Sequence, residues 1–235
     1  MSLCPRCGIP IYDGDRCLIC GLALRSIYAP RIFEEGTLSY LESAFRLSII
    51  TPKVYKPILI GGIIRGFLEL IALYFKYPST LNRISTIGGL FFLFGSIIVY
   101  ILSFASMKIG LEAYFNRFMS LRESIEYTLK KINGLFYAVI FVTGFGYSIF
   151  LIPVASLTTV IIVHDESNLD SAIREIIDIL RNKRSDFLKI SIIPVLGSII
   201  LASIPIMGGV IQSILIGYSG FSYLAFYLRT IENKF

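Results

Sequence analysis

The chain has 235 residues, 55% of them hydrophobic and 16% charged, with a mean hydropathy of +0.74 and a formal net charge of +6. These proportions exclude an ordinary water-soluble domain and indicate an all-α polytopic membrane protein. In such a protein the side on which the positive charge sits carries more information than its sum.

All four cysteines fall in the first twenty residues, as Cys4-Pro-Arg-Cys7-Gly8 and Cys17-Leu-Ile-Cys20-Gly21, with an Asp13-Gly14 turn between the pairs. Two C-x-x-C pairs brought together by a hairpin present four thiolates to one tetrahedral ion, and the glycine after each pair lets the chain turn tightly beneath the sulfurs. Residues 1–21 therefore resemble a minimal zinc ribbon, with Cys4, Cys7, Cys17 and Cys20 as ligands of a structural zinc. An iron centre of the rubredoxin kind and a pair of disulfides share the spacing. With four thiolates engaged no coordination position stays open, so a metal here would hold the fold rather than catalyse. The first residues lack the basic and then apolar order of a secretory signal, and the module is expected to stay unexported.

Residues 22–36 form a basic linker without periodicity, and residues 37–235 form a membrane domain of three units at 37–107, 118–163 and 167–228. Each unit opens on a Ser-x-x-acid-Ser phrase: Ser39 to Ser43, Ser120 to Ser124 and Ser167 to Ser171. The first hydroxyl can accept from a free backbone N–H while the acid three residues on bonds back, a helix-start signature. Each phrase leads into an amphipathic helix at the membrane surface and then into a pair of apolar helices.

In the first unit Leu38, Leu41, Phe45 and Ile49 share a helical face, with Tyr40 and Leu47 off it, and Pro52 ends the helix. Lys53 and Lys56 follow, placed for lipid phosphates. Spans are predicted at Ile58 to Phe75 and Ile87 to Met107. In the second unit Leu121, Ile125, Leu129 and Ile132 line one side of a helix opposite Glu123, Glu126 and Lys130, and Lys130, Lys131 and Gly134 end it. Gly134 to Val163 then holds thirty residues without an acid, lysine or arginine, ~45 Å as one helix, too long for a bilayer core unless steeply tilted.

Charge decides how that run is folded. As a hairpin it leaves 19 lysines and arginines on the side of the cysteine module against only Lys76 and Arg83 opposite; as one crossing it leaves 12 against 9. The positive-inside rule selects the hairpin, and with it about six transmembrane or half-spanning helices. The module and both termini are then cytosolic, at the cell membrane, where thiols stay reduced.

The third unit is the most regular. Leu169, Ala172, Ile173, Ile176 and Leu180 form its apolar face, Arg174, Asp178 and Arg181 face away, and Arg181, Lys183 and Arg184 close it among head groups, as do Lys130 and Lys131 in the second unit. Spans follow at Leu188 to Ile204 and Met207 to Leu228. Gly209, Ser213 and Gly217 recur every four residues on the last one, a stripe that lets a neighbouring helix approach closely.

From Ser39 to Arg229, the three phrases and the junction Val163-His-Asp-Glu-Ser-Asn-Leu-Asp-Ser-Ala-Ile-Arg174 make the chain similar to the membrane-domain superfamily associated with some glycerophosphoryl diester phosphodiesterases. The resemblance implies a six-helix architecture and no hydrolase, since the phosphodiesterase catalytic domain is not part of the resemblance. A ribbon fused to such a domain is what several archaeal membrane proteins look like, and one Gln, no Trp and abundant Ile fit a heat-adapted source.

Few residues could carry chemistry. Arg65 and Glu69 lie one turn apart inside the first span, where ionised groups are costly; they either neutralise each other and fix packing or mark a polar path. His164, the only histidine, sits beside Asp165 and Glu166 without a zinc-hydrolase ligand set and reads as an interfacial residue. No catalytic set stands out. The residues favour a non-enzymatic membrane scaffold or adaptor whose zinc ribbon docks a partner protein or complex; a small transporter or channel using Arg65 and Glu69 is the alternative. Arg6 and Arg16 are offset by Asp13 and Asp15, so no nucleic-acid partner is expected.

Overall fold

A computed structural model describes residues 2–3, 10–11, 37–76, 83–115, 117–131, 137–141, 152–166, 168–202 and 207–232. The four cysteines lie outside them. Two short strands, β1 (Ser2–Leu3) and β2 (Pro10–Ile11), pair antiparallel with Ser2 opposite Ile11 and Leu3 opposite Pro10. The remainder is helical: α1 (Thr37–Ile50), a 3-10 turn (Pro52–Tyr55), α2 (Lys56–Lys76), α3 (Arg83–Tyr114), α4 (Leu121–Lys130), α5 (Ile152–Asp165), α6 (Leu169–Asn182), α7 (Arg184–Ala202) and α8 (Met207–Glu232), with a helical stretch at 137–141.

Among the described residues two helices are long and apolar enough to cross a membrane, Leu93–Tyr114 within α3 and Val210–Ile231 within α8, each of 22 residues. At 1.5 Å per residue either is ~33 Å long, against ~30 Å of hydrocarbon.

Contacts fix how the helices run. The Ile58 N–H donates to the Ser106 Oγ at 3.2 Å while Arg65 packs against Gly95, so α2 and α3 are antiparallel. Tyr55 meets Phe221 edge-on at 5.2 Å and Gly62 meets Ser213, so α8 is antiparallel to α2 and parallel to α3. Ser219 reaches Ser156 and Tyr227 reaches Asp165, which sets α5 alongside α8 in the same sense, and Ser191 bonding Tyr223 with Gly197 against Leu215 runs α7 the opposite way. The C-terminal ends of α3, α5 and α8 thus gather at one end of the bundle, hereafter the base.

At the base sits the main core. Tyr40, Phe104, Leu157, Ile161, Ile176, Ile179, Phe187, Phe221 and Tyr223 are buried together there, drawn from α1, α3, α5, α6, α7 and α8. Away from the base Ile63, Phe67 and Leu70 of α2, Leu90 and Phe94 of α3, and Leu196 and Ile200 of α7 are exposed. A contiguous exposed belt of this kind marks a surface meant for a partner or for lipid.

The residues that flank the long apolar run after α4 lie at the same end of the bundle. Lys131, at the close of α4, forms an ion pair with Glu166, just past α5, and Tyr127 lies 3.5 Å from the same carboxylate. A single crossing would separate these residues by the thickness of the bundle.

Several local expectations are corrected. The first phrase is not a cap: α1 begins at Thr37, so Ser39 lies inside it and accepts through its carbonyl from Ser43 Oγ at 2.7 Å, while Glu42 pairs with Arg46. Its buried side is Tyr40, Ala44 and Leu47, and Leu38, Phe45 and Ile49 face outward, Leu38 at 81% exposure. Apolar periodicity marks a face; on a helix apolar on two sides it does not say which side meets protein. The second phrase is a complete capping box, Ser120 Oγ accepting from the Glu123 N–H at 3.2 Å and the Glu123 carboxylate from the Ser120 N–H at 2.7 Å. Its helix, however, buries Ser124 and Thr128, whose hydroxyls bond back to the Leu121 and Ser124 carbonyls, and leaves Leu129 outside. In the third unit Asn168, not Ser167, is the N-cap residue of α6, and Ile179 joins Ala172 and Ile176 on the buried face. The second predicted span ends at Met107, yet α3 continues to Tyr114 because Lys108 and Glu112, 3.0 Å apart at i and i+4, neutralise each other on the helix.

Candidate functional site

Two groups of polar residues are built into the bundle. At the base, helix ends from four elements converge. Lys108 of α3 and Lys131 lie over the Tyr127 ring of α4, at 4.9 and 5.2 Å from its centre, and Lys131 reaches on to Glu166. The neighbouring His164 Nδ1 contacts Asp165 Oδ1, and Asp165 Oδ2 accepts from the Tyr227 hydroxyl of α8 at 2.6 Å. The His164 and Tyr227 rings meet edge-on at 5.4 Å. Glu166 holds a left-handed backbone with φ of 50°, which a residue with a side chain adopts at a cost and only where its surroundings hold it. That turn swings the chain from α5 into α6 while the side chain ties α5 to α4.

The electrostatics follow from these contacts. The hydrogen bond from Lys131, opposed by slight burial and aided by its charge, holds the Glu166 carboxyl below the ordinary glutamate value. Burial pushes Asp165 upward, but hydrogen bonds from His164 and Tyr227 outweigh it and the net shift is downward. Burial first and the Glu166 charge second push the Tyr127 hydroxyl up to about 12. The carboxylates of Asp165 and Glu166 are thus both ionised near neutrality, and each faces a donor. Within the cluster His164 contacts Asp165, and the Tyr227 hydroxyl donates to the same carboxylate. The cluster's chemistry is that of a clamp on four helix ends.

The second group is Arg65 and Glu69. Arg65 Nε donates to Glu69 Oε1 at 2.8 Å, with side chains 8% and 16% exposed. Both lie on α2, and a Cβ on Gly95 of α3 would sit 3.1 to 3.3 Å from the Arg65 Cα, Cβ and Cγ. Gly95 therefore leaves room for the aliphatic stem of Arg65, and the ion pair lies along one helix against the other.

The remaining residues singled out from the sequence fall as follows. Ser213 and Gly217 face α2: a Cβ on Gly62 would lie 2.7 Å from Ser213 Oγ, and one on Gly217 would lie 2.9 Å from the Tyr55 ring and 3.4 Å from Ile58. Gly209 is in the first turn of α8. Lys53, with Nζ 4.9 Å above the Phe118 ring, and Lys56 flank Tyr55; both are exposed, as are Lys130, Arg181, Lys183 and Arg184. Since Ile58 meets Ser106, Lys131 meets Glu166 and Phe187 packs on Tyr223, these six cations and Lys131 lie around the base. Sequence reading missed the partners of Asp165 and Glu166: Tyr227 is 62 residues from Asp165 and Lys131 is 35 from Glu166, separations that no local pattern encodes.

Among the described residues no group of histidine, cysteine and acidic side chains could hold a metal. The residues that would hold zinc are Cys4, Cys7, Cys17 and Cys20, outside that set. The observation bearing on their fit is the β1–β2 ladder, which joins the chain on either side of the Cys4 to Cys7 segment, as a metal knuckle requires. Zinc would supply folding energy to a segment too short for a core of its own.

No family model matches the chain, and it has no match among characterised proteins or solved structures.

Proposed function

We propose that the chain is a non-enzymatic, multi-pass scaffold of the cell membrane, in which three helix–hairpin units, about six transmembrane or half-spanning helices, anchor a cytosolic zinc ribbon that docks a partner protein or complex. The carrying observation is the Arg65–Glu69 pair. The ionised groups that would make a polar path through the bundle are neutralised within one turn of α2 and packed against α3, so they serve the fold rather than a solute.

Three further features support the reading. The exposed apolar belt on α2, α3 and α7 suits lipid tails, and the ring of lysines and arginines at the base suits the inner leaflet. The return of the chain from Lys131 to Glu166 suits a hairpin, as the charge distribution requires. The β1–β2 ladder suits a metal knuckle at the end of a tether. The likeness to the phosphodiesterase-associated membrane domains belongs to the same proposal: it adds an architecture and no hydrolase.

The test joins topology, metal and partner. Thiol-label accessibility in intact cells, read at cysteines placed singly at Ser120 and His164 in a chain lacking its own four, should report both positions on the cytosolic side. Elemental analysis of the intact chain should find one zinc per molecule. Photo-crosslinking from Arg6 in native membranes should recover a reproducible partner that is lost with Cys4→Ser. If the ribbon is dispensable while Arg65→Leu with Glu69→Leu abolishes solute flux in liposomes, the chain is a transporter and the scaffold reading fails.

A further inference from the structure

A cavity of about 550 Å³ opens sideways between α7 and α8, within the ~300–1,000 Å³ typical of small-ligand sites. Its walls are Gly197 and Ile200 of α7 and Ile211, Ile214 and Leu215 of α8, and α1 covers it from the base through Phe45. The helices can part here without losing contact because Gly197 brings α7 close: a Cβ there would meet the Leu215 side chain at 2.6 Å.

Three hydroxyls line the base end of the cavity, Ser48, Tyr55 and Tyr218, and all of their protons are committed elsewhere. Tyr218 donates to the Leu41 carbonyl at 2.9 Å and Ser48 to the Ala44 carbonyl at 2.6 Å, which leaves Tyr55 as the donor in its 2.9 Å bond with Ser48. Among the described residues no charged side chain lines the wall. Those residues therefore offer a guest no donor and no charge, and a polar solute meeting them would lose water without compensation. An apolar guest meets no such cost. From Tyr218 to Ile211 the wall rises ~10 Å along α8, about a third of a bilayer's hydrocarbon thickness.

The chemistry changes abruptly at the base end. Lys53 and Lys56, both exposed, bracket Tyr55 in the chain, the residue that lines the base end of the cavity. An anionic group would be held there while an apolar tail ran up between α7 and α8. The outer wall is continuous with the exposed stripe Ile192, Leu196 and Ile199 of α7, so a tail can enter sideways from the belt.

We infer that this groove binds one bilayer phospholipid, with an acyl chain between α7 and α8 and its phosphate on Lys53 and Lys56. The inference rests on the proposed membrane location and adds a specific lipid site to it. The test reconstitutes the full chain in nanodiscs of phosphatidylglycerol doped with a phosphatidylglycerol carrying a mid-chain diazirine, and maps the adducts by mass spectrometry. Adducts should concentrate on the peptides bearing Ile200, Ile211 and Ile214 over that bearing Ile192 and Leu196. Ile214→Trp should remove the groove adducts and leave the others. Ile211→Trp is the second filling variant; the two positions are 41% and 37% exposed, so neither change invades the core. Lys53→Ala and Lys56→Ala should each weaken groove labelling about fivefold with phosphatidylglycerol, the effect of one cation at an anionic surface, and phosphatidylcholine should label the wild-type groove correspondingly less. Adducts spread evenly over groove and outer stripe, unchanged by either tryptophan, overturn the site while leaving the membrane reading intact. Absence of acyl adducts from the whole chain overturns both.

Discussion

The base of the bundle and the half above it use the same apolar residue types in opposite ways. At the base Phe104, Leu157, Ile176 and Tyr223 are buried in a core, and the surface carries lysines, arginines and closed carboxylate pairs beside the outward apolar residues of α1. Above it the interior is made of small residues, Gly62 against Ser213 and Gly95 against Arg65, and the bulky side chains Phe67, Phe94 and Leu196 point outward. Where hydrocarbon surrounds a helix pair, burying leucine gains little, and close backbone approach with self-paired charge holds the helices instead. Where water surrounds it, the hydrophobic effect returns and charges move outside. Under the proposed membrane location the two halves meet different solvents, and each contact can be assigned to one regime by how it fails.

The largest loss is expected from Glu69→Leu. It leaves the Arg65 guanidinium in the α2–α3 contact without its carboxylate, a change that costs ~3–5 kcal/mol for a buried pair, whereas Arg65→Met with Glu69→Leu should recover most of it. Thermal unfolding of the two variants in the same detergent reads the difference. Equal loss in both would mean that the aliphatic stem against Gly95, not the charge, holds the hairpin.

Next comes Tyr227→Phe at the base, which removes a donor from an ionised acceptor. Loss of a hydrogen bond to a charged group amounts to ~1.5–3 kcal/mol, and the Asp165 carboxyl, with one of its stabilising hydrogen bonds gone, should titrate at a higher pH than in the wild type. Carboxyl titration followed by infrared difference spectroscopy, beside the melting temperature, separates this from a packing defect; an unmoved Asp165 would remove Tyr227 from the clamp. The counterpart above the base is Gly62→Ala. Its new methyl would overlap Ser213, at ~1–3 kcal/mol for overpacking, and Ser213→Gly should restore stability in the double variant. No rescue would mean that the overlap is relieved elsewhere.

The two halves were not equally legible in the amino-acid order. The capping box at Ser120 and Glu123 reads directly because its geometry is local, and so do the apolar stripe of α6 and the stop at Pro52. Counting lysines and arginines favours a hairpin after α4, and the contact of Lys131 with Glu166 brings the residues flanking that run together. What periodicity could not give is the side of α1 and α4 that meets protein. On α1 both Leu38 and Leu47 are apolar and only one is buried, and on α4 small hydroxyls at Ser124 and Thr128 pack inward because satisfied Ser and Thr side chains fit where leucine would not. The clamp partners were out of reach for a plainer reason: Tyr227 and Asp165 meet only once the bundle has formed.

The smallest effect is the most diagnostic of the base. Because Lys131 holds the Glu166 carboxyl below its ordinary value of 4.5, the pair stabilises the fold above that pH and loses its contribution as pH falls through the lowered value. Glu166 is 50% exposed, so water screens the pair and Lys131→Met should cost no more than ~1 kcal/mol at neutral pH. The wild-type and Lys131→Met curves of melting temperature against pH should therefore run apart above 4.5 and merge below it, and added salt should close the gap. Asp165 keeps its own donors in both proteins and cancels from the comparison. Gly62→Ala, whose defect is one of shape, should keep a constant offset across the same pH and salt range. A Lys131→Met gap that ignores both would mean that the base, too, is held by packing, and that the left-handed turn at Glu166 is fixed by the core beneath it rather than by the lysine above.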